Sequence, residues 1–168
     1  SACYSCDVAS HTTAGREPTP SSEPDALPEP GIDERLIMPE TRYEAIDGEV
    51  VYVSPAKPPH ATCHSRLSAL LEAHCRADYQ AASDMLTRTS ALSDVAPDGS
   101  IYPRARHPET GERQLEELSF EVVSKQSLAL AGRKAASLRR RGVRRVFGLD
   151  VAKKRVLEWS TESAAWEP

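Results

Sequence analysis

Aromatic side chains are scarce, at 5% of the 168 residues, so a core must be filled mainly by Leu, Val, Ile and Ala. No apolar stretch approaches the roughly 18 residues that a membrane-crossing helix needs, so no membrane partner is expected. The first residues lack the basic-then-apolar layout of a secretory signal, and a cytoplasmic protein is the expectation. The four cysteines, Cys3, Cys6, Cys63 and Cys75, are too few for a disulfide framework and are expected as free thiols. What is present is 39% hydrophobic residues, enough for one domain with a core and, at this length, not for two.

Charge is unevenly spread. The net value is −4, but residues 1–50 carry 3 Lys/Arg against 11 Asp/Glu, whereas residues 130–155 carry 10 against Asp150 alone. A basic C-terminal half is compatible with an anionic ligand, and equally with a solvated arginine-rich helix face. Residues 1–31 hold five prolines and two glycines among Ser, Thr and Glu, without apolar periodicity. They are expected to form a flexible tail, and residues 32–168 the domain.

Within the domain, Thr41-Arg42-Tyr43-Glu44 fits a capping box and predicts a short helix or turn, followed by the hairpin signal Asp47-Gly48 and a strand at 49–53 that Ser54-Pro55 ends. Pro58-Pro59 opens the strongest predicted helix, with Leu67, Leu70, Leu71, His74 and Cys75 at helical spacing. Short strands are predicted at 85–89 and 99–102, a polar connection at 103–114, and a central strand at 118–123. A helix over 128–141, with Leu130, Lys134 and Leu138 on one stripe, should stop at Gly142. Strands at 143–150 and 155–159 complete a mixed sheet flanked by helices. The strand–helix–strand order across 118–150 makes the first two of these strands parallel neighbours.

Asp98 after Pro97, Glu121 in the central strand and Lys134 on the next helix are candidate residues for hydrolysing a phosphodiester. Carboxylates can hold Mg²⁺, which keeps water positions open and lowers the bound water's pKa, and a lysine can orient that water or stabilise the developing charge. Taken singly, each residue is equally a turn, ion-pair or surface residue.

In their order these pieces resemble the Uma-two family of restriction-endonuclease-like proteins, in the PD-(D/E)XK nuclease superfamily. The matching pieces span residues 41–159: Tyr43 to Val51, Ser54-Pro55, His60, Pro97-Asp98, Glu121-Val122-Val123-Ser124, Lys134, Gly142-Val143 and Leu149-Asp150. The resemblance implies an α/β fold with a restriction-endonuclease-like core, catalytic Asp98, Glu121 and Lys134, and a metal site of Asp98 and Glu121 that Glu44 completes. In the superfamily the lysine usually stands two residues after the second acid. Here that position is Val123, and Lys134 looks like the migrated lysine. Leu138, and Val146-Phe147, stand where the family commonly has an aromatic and a Tyr-Trp pair.

The resulting expectation is a DNA endonuclease using Mg²⁺, with Mn²⁺ as the alternative ion, and a homodimer that cuts both strands. His60, Arg139, Arg140, Arg141, Arg144 and Arg145 are the candidate DNA contacts, although His60 is also a plausible solvent-side residue of a first helical turn and Ser124 a turn cap. The rival is a catalytically silent nuclease-like fold serving as a nucleic-acid-binding or assembly module. A third reading is a structural zinc protein built on Cys3, Cys6 and His11, with Cys63, His64, His74 or Cys75.

Overall fold

The computed structural model describes residues 31, 43–52, 56–123 and 127–168. The expectations for residues 1–30, Thr41, Ser54-Pro55 and Ser124 lie outside these residues.

Where a capping box suggested a helical start, the chain forms strand β1 (Tyr43–Ile46), paired antiparallel with β2 (Glu49–Tyr52). The hairpin overrides the local cap pattern because Asp47 and Gly48 adopt φ values of 52° and 79°, the left-handed pair that joins two twisted strands without splaying them. β1 also pairs with β5 (Ser93–Val95), and β5 with β4 (Thr87–Ser90), giving an antiparallel four-stranded sheet. This second sheet was not expected.

The larger sheet has the order β10-β9-β8-β7-β6-β3, with β3 (Tyr79–Ala82), β6 (Gly99–Pro103), β7 (Leu118–Val123), β8 (Arg145–Asp150), β9 (Arg155–Ser160) and β10 (Ala165–Glu167). The pairing of β7 with β8 is parallel and the others are antiparallel, so the sheet is mixed as expected. β3, β5 and β10 had no counterpart in the sequence reading, and the strand expected at 85–89 begins at Thr87.

Helix α1 (Pro58–His74) packs on β3, β6 and β7. Leu67 and Leu71 press against Gly99, where an added Cβ would stand 2.8 Å from Leu71, and Gly99 pairs with Phe120. Of the expected apolar stripe only Leu67 is buried, and Leu70 is 58% exposed. Glu121, one residue after Phe120, faces the opposite side of the sheet because side chains alternate along a strand. That side is covered by helix α2 (Leu128–Arg141), which also touches β1, β4 and β5 of the smaller sheet. α2 is therefore shared by both sheets. Its end is fixed by Gly142 and Val143, whose N–H groups donate to the Leu138 carbonyl.

The buried cluster Ile46, Val95, Ala135, Leu138, Val143 and Val146 draws on both sheets and α2, with Trp159 and Trp166 packed against it. Leu138 is fully buried. We expect Leu138→Ala to lower the unfolding free energy by about 3 kcal/mol, read from urea denaturation, because the cavity would open among side chains of three elements.

Candidate active site

Five of the residues singled out in the sequence meet where the two sheets come together. β1 carries Glu44, the segment entering β6 carries Asp98, β7 carries Glu121, α2 carries Lys134 and α1 carries His60. Glu44, Glu121 and Lys134 are all more than 90% buried.

Lys134 lies at the centre. Its Nζ stands 3.0 Å from Glu44 Oε1, 2.9 Å from Glu121 Oε1 and 3.1 Å from Glu121 Oε2, and donates to the Ala96 carbonyl at 3.0 Å. Only the Oε2 contact with Glu121 has hydrogen-bond geometry, so the buried Oε1 accepts no hydrogen bond. The Ala96 N–H in turn donates to Glu44 Oε1 at 3.1 Å. Asp98 Oδ2 accepts the Val122 N–H at 2.6 Å, which fixes this carboxylate across the β6–β7 boundary. His60 Nε2 is 3.8 Å from Asp98 Oδ2, an ion-pair distance rather than a hydrogen bond.

The electrostatics follow from burial and crowding. Burial, reinforced by the Asp98 and Glu44 carboxylates, pushes the Glu121 carboxyl up to about 8 against the pull of Lys134. Burial would also raise Asp98, but His60, the Val122 N–H and Lys134 outweigh it and hold Asp98 below the usual range. His60 is raised by its interaction with Asp98. Burial disfavours the Lys134 ammonium, yet Glu121 and Glu44 more than compensate and keep it charged. With Glu121 ionised, three carboxylates face one ammonium and leave a negative surplus. That surplus would suit a divalent cation, and Asp98 and Glu121 carry carboxylate oxygens that could hold one.

Among the described residues, the set of three metal-ligating side chains whose donor atoms lie within 4.8 Å of one another is His64, Asp84 and Asp98, not Asp98, Glu121 and Glu44. Glu44 and Glu121 both ion-pair with Lys134. The four-residue spacing of His60 and His64 on a helix was a readable signal for a shared face, whereas Asp84 had none.

The arginines do not join the site. Arg139 donates to the Val143 and Arg144 carbonyls at the end of α2, Arg144 pairs with Glu117 at 3.1 Å, and Arg145 grips Glu158 through Nε at 2.8 Å and Nη2 at 2.6 Å. Arg140 is exposed and Arg141 partly buried, both in the last turn of α2. Cys63 and Cys75 are free thiols, as expected. Neither they nor His74 belongs to the three-ligand set, while Cys3, Cys6 and His11 lie outside the described residues.

With this geometry in view, comparison with known proteins gives a consistent result. The family described as "Uma2: Putative restriction endonuclease" matches residues 32–168. The fold resembles a crystal structure described as "a putative nuclease belonging to DUF820 from Anabaena variabilis ATCC 29413", with a TM-score of 0.60 and 17% identity over 73% of this chain and 74% of that one. None of the curated proteins matches. No helix among the described residues is long and apolar enough to cross a membrane.

Removing the ammonium strands two buried carboxylates, so Lys134→Met should destabilise the protein by about 3–5 kcal/mol, and adding Glu121→Gln should recover part of that loss in denaturant melts. The Glu121 carboxyl is raised on folding from 4.5 to about 8, so the folded state holds a proton that the unfolded state lacks between these values. With divalent cations chelated, stability should therefore fall as pH rises through that window. Glu121→Gln should flatten the profile in thermal melts, and a profile unchanged by the substitution would contradict the linkage.

Proposed function

The chain belongs to the Uma2 family of restriction-endonuclease-like proteins, and on that premise we propose that it is a Mg²⁺-dependent DNA endonuclease hydrolysing phosphodiester bonds. The observation that carries this reading is the approach of Lys134 to both carboxylate oxygens of Glu121 beside Asp98. Lys134 comes from the helix after β7, so Val123 at the usual lysine position does not deprive the site of its cation.

Asp98 and Glu121 would hold the metal. A divalent cation bound there supplies neutralisation of the phosphoryl oxygens and a water of lowered pKa, with Mn²⁺ as the alternative ion. Lys134 is the residue we assign to the attacking water or the developing phosphoryl charge. Its donors are shared among Glu44, Glu121 and the Ala96 carbonyl, so a water or phosphoryl oxygen would replace one of these acceptors. Glu44 positions the lysine. His60, whose charged form Asp98 favours, offers a further donor to a phosphate.

Among the arginines, exposed Arg140 is the one we assign to backbone phosphate, since Arg139, Arg144 and Arg145 already serve internal partners. Cutting both strands with one site per chain calls for two copies, so a homodimer belongs to the same proposal. The second reading, a silent nucleic-acid-binding or assembly module, is favoured by the full engagement of Lys134.

Purified protein should nick supercoiled DNA with Mg²⁺ or Mn²⁺ and not with EDTA. The isosteric changes Asp98→Asn and Glu121→Gln should each reduce cleavage by about 100-fold or more while far-UV circular dichroism is retained. Cleavage undiminished by both would refute the site, and no cleavage with either ion would favour the silent module.

A further inference from the structure

His60 and His64 lie one helical turn apart on α1, and both approach Asp98, but they meet different parts of it. His64 Nε2 is 2.6 Å from the Asp98 main-chain carbonyl oxygen and 3.9 Å from Asp84 Oδ1. One donor atom from each of the His64, Asp84 and Asp98 side chains falls within a common 4.8 Å. Asp84 is held there by its backbone. It adopts φ 51°, a conformation that costs most residues about 1 kcal/mol and that Asp and Asn tolerate best, and its N–H donates to the Pro97 carbonyl at 3.1 Å. The hydroxyls of neighbouring Ser83 and of Ser68 on α1 are 2.7 Å apart, which ties the same turn to the helix.

We propose that His64, Asp84 and Asp98 form a second divalent-cation position that prefers a transition-metal ion such as Mn²⁺ to Mg²⁺. An imidazole nitrogen beside two carboxylates is a mixed donor set that suits first-row transition metals, whereas Mg²⁺ favours an all-oxygen shell. Two carboxylates and a neutral imidazole also balance the charge of the ion. Solvent reaches the position, since the Asp84 side chain is 67% exposed and that of His64 23%. His64 Nε2 must present its lone pair to the ion, so binding replaces donation to the Asp98 carbonyl. The position rests on its own geometry. Its role deepens the nuclease reading, because two cations sharing Asp98 could clamp the attacking and leaving oxygens of one phosphate.

The test is Mn²⁺ titration of the full chain, following free Mn²⁺ by electron paramagnetic resonance and imidazole nitrogen coupling to bound Mn²⁺ by spin-echo modulation. Wild type should show that coupling, and His64→Ala should lose it. Asp84→Asn, exposed and compatible with the left-handed backbone, should weaken this Mn²⁺ position about 10-fold or more with an unchanged thermal midpoint. Mg²⁺ should displace the ion poorly. Mn²⁺ binding unaltered by Asp84→Asn, nitrogen coupling that survives His64→Ala, or equal competition by Mg²⁺ would each overturn the proposal. A protein that binds Mn²⁺ through His64 yet cuts no DNA would uphold it and refute the nuclease reading alone.

Discussion

The ammonium of Lys134 is the point on which both sheets converge. It bonds to Glu44 in the smaller sheet, to Glu121 in the larger one and to the Ala96 carbonyl on the segment that crosses between them. Each contact alone is an ordinary ion pair or charge-assisted hydrogen bond. Together they make the position of α2, the packing of β1 near β7 and the path of residues 96–98 depend on a single cation. Buried charges of this kind are costly to leave unpaired, so the three elements are constrained to move as one.

The crossing segment explains why the site lies where it does. β5 ends in the smaller sheet at Val95 and β6 begins in the larger one at Gly99, leaving Ala96, Pro97 and Asp98 to make the passage. Every residue of the passage is held: Ala96 between Glu44 and Lys134, Pro97 through its carbonyl by the Asp84 N–H, and Asp98 by the Val122 N–H. Proline restricts the backbone ahead of the acid, and the acid is delivered at the seam where α1, β7 and α2 all have side chains to offer. The Pro-Asp pair is thus a structural joint as well as a source of a carboxylate.

The βαβ unit was legible because β7 and β8 are apolar, continuous and separated by a helix with a clean stripe and a glycine stop. The smaller sheet was not. Its strands β4 and β5 read Thr-Arg-Thr-Ser and Ser-Asp-Val, polar stretches with no apolar alternation, yet most of these residues are buried. Their polarity is satisfied internally: Arg88 pairs with Asp94 at 2.5 Å, Thr89 meets Ser137 of α2 at 2.6 Å, and Thr87 donates to the buried Glu116, which Arg113 also holds. Periodicity cannot reveal strands whose buried side chains are satisfied by polar partners instead of apolar packing. Within the arginine cluster, the helix cap at Arg139 and the ion pairs at Arg144 and Arg145 were likewise not legible, because their partners are distant or main-chain groups. The reach of Lys134 to Glu121 came from family resemblance rather than from spacing, because thirteen residues and a turn of chain separate them.

The same network bears on the choice between cleavage and a silent module. A fold that needed only to assemble or bind could fill the space of Glu44, Glu121 and Lys134 with apolar side chains, a replacement that in proteins is often neutral or stabilising by about 1–4 kcal/mol. This chain instead keeps three acidic side chains around one ammonium, and the Glu121 carboxyl is pushed up to about 8, chiefly by burial. A divalent cation held there would relieve the surplus negative charge in place of the Glu121 proton. The arrangement is a poor solution for stability alone and a suitable one for holding a cation against a phosphate, which is the physical ground for preferring the nuclease reading.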